Sequence, residues 1–231
     1  MAYSQRTAWI AGATGLVGQH ALRLLLDSQR LSRVVSFTRR PIGPTSPRHE
    51  NRVVSFDELP TRADPRPVDV ALCCLGTTMK QAGSQAAFRR VDYEYVVTFA
   101  RYAIHSGASH FLMVSALGAS PKSRVFYNRV KGEAEQAVSE LGFRQVTIVR
   151  PSLLLGERAD MRLGERLFAP FSKWLPQGVR GIEAETVARA LVALSDRPTE
   201  GLRIVPSGEL FAIAEKHEHS GDVRESGAHS R

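Results

Sequence analysis

The chain has 231 residues, 43% of them hydrophobic and 23% charged, a balance typical of a globular protein that buries a sizeable core. This composition excludes a disordered or collagen-like chain, and no apolar run approaches the ~18 residues that a transmembrane helix needs. The N-terminus carries no signal-peptide pattern. We therefore expect a protein without a transmembrane segment that is not exported and lies in the cytoplasm.

The formal net charge is +8, from 31 basic and 23 acidic residues. The basic residues are scattered and never form the block of about five or six like charges typical of a nucleic-acid-binding arm. Charge alone does not establish such binding, so no nucleic-acid partner is predicted. We interpret the excess as a solvated basic face, part of which can attract a phosphorylated ligand.

The histidines and cysteines do not predict a metal site. Cys73 and Cys74 are neighbours in an apolar run, which suits neither a disulfide framework nor a set of metal ligands. They are interpreted as small core residues in a reducing compartment. His217 and His219 are isolated from other ligand types.

Short apolar runs alternate with helical periodicity, which is typical of βαβ units around a parallel sheet. The predicted strands are residues 7–11, 34–38, 52–56, 68–75, 111–115, 145–150 and 202–205. The predicted helices are residues 16–28, 84–105, 124–141 and 186–195. This order predicts an α/β fold of the Rossmann type, with a doubly wound parallel sheet and helices on both faces.

The alternation of strand and helix patterns weakens after Pro151. Residues 158–181 mix charged residues with Leu, Phe and Trp, and we interpret them as a small substrate-covering segment. A membrane-surface helix, a partner helix and ordinary packing onto the sheet remain open for this segment. The polar composition of residues 215–231 predicts a disordered tail, so a single domain is expected over residues 1–214.

A glycine-rich turn directly follows the first predicted strand and opens a helix. Gly12, Gly15 and Gly18 have the spacing G-x-x-G-x-x-G, which permits a tight turn, close approach of a pyrophosphate, and close packing of helix on strand. The amides at the helix start then face the anion. The residues assigned to a dinucleotide at this turn are Gly12, Thr14, Gly15, Leu16 and Val17.

The end of the second strand indicates which dinucleotide is bound. Thr38, Arg39 and Arg40 stand where an acidic residue would bond the ribose 2′-hydroxyl of NAD. Two guanidinium groups can instead make charge-assisted bonds to a 2′-phosphate, so NADP(H) is favoured over NAD(H). Asp57, after the third strand, could accept a bond from the adenine amine, although a loop-capping role is nearly as well supported.

A further loop reaches the carboxyl edge of the sheet, where ligands bind in open α/β folds. Leu75, Gly76 and Thr77 follow the fourth strand and are assigned to the cofactor. Gly76 allows its close approach, and Thr77 supplies a hydroxyl group.

A tyrosine and a lysine four residues apart suggest acid/base chemistry. Tyr127 and Lys131 share one face of a predicted helix. A nearby ammonium group favours the phenolate form of tyrosine, so Tyr127 can exchange a proton with a carbonyl or alcohol oxygen. Ser115 ends a strand at the same sheet edge and could donate a hydrogen bond to that oxygen. Ser123, one helical turn before Tyr127, competes for this role.

These motifs, taken in order, resemble the short-chain dehydrogenase/reductase superfamily, and more narrowly its atypical, extended-like branch related to the Tat-interacting oxidoreductase. The stretches that carry the resemblance are Gly-Ala-Thr-Gly-Leu-Val-Gly at 12–18, Leu-Gly-Thr-Thr at 75–78, Val-Ser-Ala-Leu-Gly-Ala at 114–119, Phe-Tyr-Asn-Arg-Val-Lys-Gly-Glu-Ala-Glu at 126–135 and Arg-Pro-Ser-Leu-Leu-Leu-Gly at 150–156. The resemblance implies a Rossmann fold and NADP(H) binding. Tyr127 and Lys131 match the catalytic pair, Lys131 would also bond the nicotinamide ribose, and Pro151 matches the segment flanking the nicotinamide.

Two departures from extended relatives bear on function. Their catalytic serine or threonine lies further along, in a serine-rich stretch, whereas Ala116 follows Ser115 here, and the region after Arg150 is shorter than their substrate domain. The predicted function is NADP(H)-dependent hydride transfer to or from a small carbonyl or alcohol. The alternative is a non-catalytic NADPH-sensing module that binds a protein partner. The resemblance also suggests a homodimer through the helices at 84–105 and 124–141.

Overall fold

The computed structural model describes residues 6–43, 46–59, 63–155, 181–197 and 199–225, with side chains through residue 216. The described strands are β1 (Arg6–Ala11), β2 (Leu31–Thr38), β3 (His49–Val53), β4 (Val70–Cys73), β5 (His110–Val114), β6 (Gln145–Arg150), β7 (Leu154–Leu155), β8 (Ile182–Glu183) and β9 (Gly201–Pro206). The described helices are α1 (Leu16–Asp27), α2 (Met79–Ala82), α3 (Gln85–Arg89), α4 (Tyr95–His105), α5 (Phe126–Ser139), α6 (Ala184–Ser195) and α7 (Ser207–Glu225).

Seven of these strands form a parallel sheet in the order β3-β2-β1-β4-β5-β6-β9. Strands β2 and β3 lie on one side of β1, and β4 and the strands that follow it lie on the other side. This reversal of the strand order opens a crevice at the carboxyl ends of β1 and β4, where open α/β folds bind ligands. The predicted α/β doubly wound fold is confirmed.

Apolar side chains alternate between the two faces of the sheet because successive strand residues point to opposite sides. Ala8 and Ile10 of β1 pack in a buried cluster with α1, α6 and α7. Trp9 and Ala11 of the same strand pack in a second cluster with α4 and α5. Both faces are thus covered, which explains the continuous apolar runs of the central strands.

The third strand and the long helix after the fourth strand differ from their predictions. The third strand was predicted at residues 52–56, but β3 spans His49–Val53, and Phe56–Glu58 form a 3-10 turn. Polar residues of β3 are hydrogen-bonded to polar residues of β2. This edge strand therefore lacks the run of apolar residues from which the other strands were predicted. The predicted helix at 84–105 consists of α3, a π-helical turn at Arg90–Glu94, and α4.

The C-terminal region is described only in part. Residues 158–180 of the predicted covering segment lie outside the described residues; β7 and β8, which flank this gap, pair in parallel. Helix α7 continues to Glu225, where the sequence predicts a disordered tail from Glu215. Among the described residues, no helix has the length and apolarity needed to cross a bilayer.

A buried polar cluster lies at the amino ends of β5 and β6. The His110 Nε2 atom is 2.9 Å from the Thr147 hydroxyl, and Gln145 donates to Thr147 and Thr199 at 3.3 and 2.9 Å. Burial, together with the positive charge of Arg6, lowers the pKa of His110 from 6.5 to about 4. The cluster therefore holds His110 in its neutral form.

This burial predicts a loss of stability in mild acid. The unfolded chain binds a proton at His110 below pH 6.5, whereas the folded chain does so only near pH 4, so stability falls as pH decreases between these values. The shift corresponds to about 3 kcal/mol at most. Urea unfolding from pH 7.5 to 4 should show this loss, and His110→Gln should flatten the profile while His105→Gln, at an exposed position, should not. An unchanged slope in His110→Gln would contradict the assignment.

Candidate functional site

The glycine-rich turn lies at the carboxyl end of β1, as predicted, and its three glycines differ in how closely the backbone surrounds them. Gly12 has φ +80°, and a Cβ there would lie 2.5 Å from the Cys74 backbone. A Cβ on Gly18 would lie 2.0 Å from the Gly12 carbonyl oxygen. Neither position can hold a side chain, so the turn, α1 and the end of β4 pack backbone against backbone.

Gly15 is the least crowded of the three glycines. It is the N-cap of α1, at φ −80°, and its amide donates to the Gly12 carbonyl at 2.9 Å. A Cβ there would lie 3.2 Å from that carbonyl oxygen, so the fold nearly tolerates one. Thr14 is exposed, Leu16 half-buried and Val17 buried. The amides of the first helical turn lack intrahelical partners, and this cradle fits a dinucleotide pyrophosphate.

An open pocket of about 430 Å³ lies beside the carboxyl ends of β2 and β3, and the residues that line it are Arg39, Val53, Val54, Ser55, Phe56, Asp57 and Tyr95. The pocket brings together Arg39 and Asp57, which the sequence analysis assigned to the cofactor. Arg40 is exposed but does not line the pocket. Thr38 is 4% exposed, and its hydroxyl donates to the Arg40 carbonyl at 2.8 Å.

Asp57 is held by two side chains from beyond β4. Its carboxylate accepts a bond from Arg90 Nε at 3.1 Å and another from the Tyr95 hydroxyl at 3.0 Å. The Arg90 guanidinium keeps the pKa of the Asp57 carboxyl below its usual value, and the Tyr95 hydroxyl adds to this effect. The rings of Phe56 and Tyr95 stack at 5.5 Å, so the pocket combines a flat apolar wall with a fixed carboxylate.

The loops after β4, β5 and β6 meet at the same edge of the sheet. Leu75 and Thr77 are half-buried, Gly76 is exposed and Pro151 is buried. The Leu117 amide donates to the Pro151 carbonyl at 2.9 Å, which ties the loop after β5 to the loop after β6.

Tyr127 and Lys131 lie in the first half of α5, one turn apart. Lys131 is 5% exposed, whereas Tyr127 is half-buried and its ring packs 5.4 Å from the ring of Phe88. The two groups interact electrostatically, because the tyrosine contributes to raising the pKa of Lys131. The helix thus presents a phenol at the edge of the site with an ammonium group behind it.

The two serine candidates occupy different environments. Ser115 is 4% exposed, and its hydroxyl has no hydrogen-bond partner among the residues that the structure describes. Ser123 precedes α5 rather than lying within it, and its hydroxyl accepts a bond from the Val125 amide at 3.2 Å. Because a buried hydroxyl without a partner is unfavourable, Ser115 is the serine with bonding capacity left for a ligand.

Asp92 belongs to this site, although the sequence analysis did not single it out. It is 0% exposed, it lies in the π-helical turn, and its two carboxylate oxygens face different partners. One is 2.7 Å from Lys131 Nζ and the other accepts from the Thr77 amide at 2.9 Å. Asp92 therefore connects the loop after β4 to the Tyr-Lys helix.

The Asp92 carboxylate fixes the charge of Lys131. Burial alone would lower the pKa of Lys131, but the carboxylate outweighs it and the pKa is raised. A sequence signal for this pair was present. Asp92 falls four residues from both Phe88 and Val96, two buried apolar residues, so an acidic side chain interrupts the apolar stripe of the helix.

Cys73 is a buried core residue, as predicted, whereas Cys74 is half-buried. Both are free thiols, and burial raises the pKa of Cys73 to about 12. The described residues contain no group of three or more His, Cys, Asp or Glu side chains arranged to hold a metal ion.

Residues 12–198 match the model of a family described as NAD(P)H-binding. The chain is 35% identical to protein HTATIP2 of Rattus norvegicus over 194 residues, covering 81% of this chain and 80% of the relative. It is 33% identical to mitochondrial protein FMP52 of Eremothecium gossypii over 220 residues, covering 90% and 97%. The mitochondrial protein fmp52 of Aspergillus clavatus is 32% identical over 213 residues, covering 86% and 90%.

Solved structures confirm the fold. MoeE5 in complex with UDP-glucose and NAD superposes with a TM-score of 0.66 at 16% identity, covering 91% of this chain and 81% of MoeE5. A short chain dehydrogenase family protein from Francisella tularensis gives a TM-score of 0.64 at 13% identity, covering 89% and 98%.

The prediction of a cytoplasmic location is wrong. The finding that overturns it is that several fungal relatives are named mitochondrial. The prediction used the lack of an export signal and the buried free cysteines, and these features do not separate one reducing compartment from another.

The glycine cradle, the sheet order and the relatives agree on one assignment. The glycine turn at the crevice is the feature that an NAD(P)-binding Rossmann fold requires, and the family match extends from that turn across most of the chain. The chain belongs to the NAD(P)H-binding family, is related to the proteins HTATIP2 and FMP52, and shares its fold with a short chain dehydrogenase family protein.

Proposed function

We propose that this protein is an NADP(H)-dependent oxidoreductase that transfers hydride to or from a small carbonyl or alcohol. The observation that carries the proposal is the convergence of three groups at one sheet edge. These are the half-buried Tyr127, the buried Lys131 with its Asp92 partner, and the Ser115 hydroxyl, which has no partner in the described part of the chain.

The cofactor residues follow from the cradle and the pocket. Gly12, Gly15 and the amides opening α1 would hold the pyrophosphate, and the pocket lined by Arg39, Phe56, Asp57 and Tyr95 would hold the adenosine end. Arg39 supports NADP(H) over NAD(H), because a guanidinium group pairs well with a phosphate. When bound, the nicotinamide supplies or accepts the hydride.

The side chains at the sheet edge supply the proton chemistry. Ser115 donates a hydrogen bond to the substrate oxygen and orients it. In the direction of reduction Tyr127 donates its phenolic proton to that oxygen, and in the direction of oxidation it accepts the proton from the hydroxyl group. The ammonium group of Lys131, held charged by Asp92, stabilises the phenolate that remains.

The decisive experiment compares Tyr127→Phe with the wild type, using a panel of small aldehydes, ketones and alcohols with NADPH or NADP. The phenylalanine ring keeps the packing on Phe88 but cannot transfer a proton, so turnover should fall by about 10²- to 10⁴-fold. The dissociation constant for NADPH, measured by fluorescence, should change by less than about twofold. Tyr93→Phe, with its ring against Arg89, is the matched control and should retain turnover.

Ser115→Ala supplies a second arm of the same test. Removing a buried hydroxyl that none of the described residues bonds should leave the free energy of unfolding unchanged or raise it by up to about 1 kcal/mol, while turnover falls. Wild-type turnover in Tyr127→Phe would refute the catalytic assignment. Tight NADPH binding by a wild-type protein without any turnover would instead favour the NADPH-sensing module.

A further inference from the structure

A chain of polar side chains connects β3 to the loop that carries Arg39. The Asn51 side-chain amide donates to the Thr38 hydroxyl at 2.8 Å, and that hydroxyl donates to the Arg40 carbonyl at 2.8 Å. The Asn51 side-chain oxygen accepts from the Ile42 amide at 3.0 Å. Asn51 thus contacts the Ile42 end of the segment 40–42 directly and the Arg40 end through the Thr38 hydroxyl.

These contacts satisfy a backbone that has no ladder partners of its own. The segment lies outside helices and strands, and Pro41 at its centre lacks an amide hydrogen. The Arg40 carbonyl and the Ile42 amide flank this proline, and the side chains of Thr38 and Asn51 pair with both of them. The Ile42 side chain packs against the apolar cluster beneath α1, so polar and apolar contacts hold the segment in one conformation.

The side chains of Ser36 and His49 extend the network on the other side of Asn51. Its amide also donates to the Ser36 hydroxyl at 3.0 Å, and that hydroxyl is 2.8 Å from His49 Nε2. These polar groups share one face at the β2–β3 edge, opposite the face on which Phe37 packs. The network is therefore a hydrogen-bonded support that ends at the Arg40 carbonyl, next to Arg39 in the chain.

We propose that Asn51 is a specificity-determining positioning residue: with Thr38, it fixes the segment 40–42 so that the adjacent Arg39 guanidinium is held ready for the 2′-phosphate of NADP(H). This inference rests on the proposed preference for NADP(H). A group ordered before binding loses less conformational freedom when the ligand arrives. NADH lacks the 2′-phosphate, so its affinity does not depend on the position of Arg39.

The test measures the dissociation constants of NADPH and NADH by fluorescence titration for the wild type, Asn51→Ala, Thr38→Val, Thr38→Ser and Arg39→Ala. Asn51→Ala and Thr38→Val should each weaken NADPH binding by about fivefold to tenfold, while NADH binding changes by less than about twofold. Thr38→Ser keeps the hydroxyl and should restore the NADPH-to-NADH ratio. Arg39→Ala should lose the preference altogether.

A matched control separates this effect from general weakening of β3. Glu50 lies next to Asn51 on the same strand but pairs with Arg33 and Arg52. Glu50→Gln should lower the melting temperature without changing the ratio of the two dissociation constants.

The outcomes distinguish this inference from the proposed function. A lost preference in Arg39→Ala with an unchanged ratio in both Asn51→Ala and Thr38→Val would overturn the role of Asn51 and leave the cofactor assignment intact. An unchanged ratio in Arg39→Ala would overturn both the inference and the preference for NADP(H). If Asn51→Ala does not fold, Thr38→Val and its serine counterpart decide the question.

Discussion

Replacing Asp92 by alanine is expected to lower the free energy of unfolding by about 3–5 kcal/mol at pH 7, because it leaves the buried Lys131 ammonium without its counter-ion. The Lys131 side chain is 6% exposed and Asp92 is 0% exposed, so bulk water solvates neither group in the folded protein. Urea unfolding measures the change. Glu200→Ala, which breaks the exposed pair with Arg144, should cost less than about 1 kcal/mol.

Two further variants identify the cause. Asp92→Ala combined with Lys131→Met removes both charges and should recover much of the loss, since the penalty comes from the unpaired ion. Asp92→Asn keeps an acceptor for the Thr77 amide but removes the charge, and should lie between Asp92→Ala and the wild type. A double variant no more stable than Asp92→Ala would show that the two residues are not coupled.

The same substitution should change how stability depends on pH. In the wild type the pKa of Lys131 lies above its ordinary value of 10.5, so its contribution is complete below that pH and is lost only in stronger alkali. Without Asp92, burial lowers the pKa, and the unfolded chain binds more protons between the lowered value and 10.5. The stability of Asp92→Ala should therefore rise from pH 7 to pH 9, while that of the wild type should not.

The strength of the apolar signal explains which parts of the fold could be predicted. Strands β1 and β5 were located within a residue or two, because their side chains are buried on both faces and the sequence shows an unbroken apolar run. Strand β3 was misplaced because it is an edge strand. Its pairing with β2 depends on His49 and Asn51, polar residues that no hydrophobic pattern registers.

In the candidate site, too, some residues could be predicted from the sequence and others could not. Glycine spacing and the Tyr-Lys pair are local patterns, so the sequence located the cradle and α5. The Asp92–Lys131 pair joins residues 39 positions apart in sequence, and Asn51 acts through residues on another strand. Such long-range contacts appear only after the fold has brought the elements together, although an acidic residue on an apolar helical stripe indicated one of them.

The glycine turn supports a second prediction of large effect. Gly12→Ala places a side chain at φ +80° and puts its Cβ 2.5 Å from the backbone of Cys74. The left-handed backbone costs about 1–2 kcal/mol for a residue other than glycine, and the clash with β4 adds to this because neither backbone can move freely. The protein should unfold at lower urea concentration, and NADPH affinity should fall by more than about tenfold.

Two matched variants separate strain, clash and ligand contact. Gly142 has φ +86° with nothing within 4 Å of an added Cβ, so Gly142→Ala should show only the backbone cost and keep wild-type NADPH affinity. Gly15→Ala should cost less than about 1 kcal/mol as an N-cap change, yet weaken NADPH binding at least as much as Gly12→Ala, because its Cβ would occupy the approach of the pyrophosphate. Wild-type NADPH affinity in Gly15→Ala would mean that the turn has only a structural role and does not bind the cofactor. The proposed oxidoreductase function would then be contradicted.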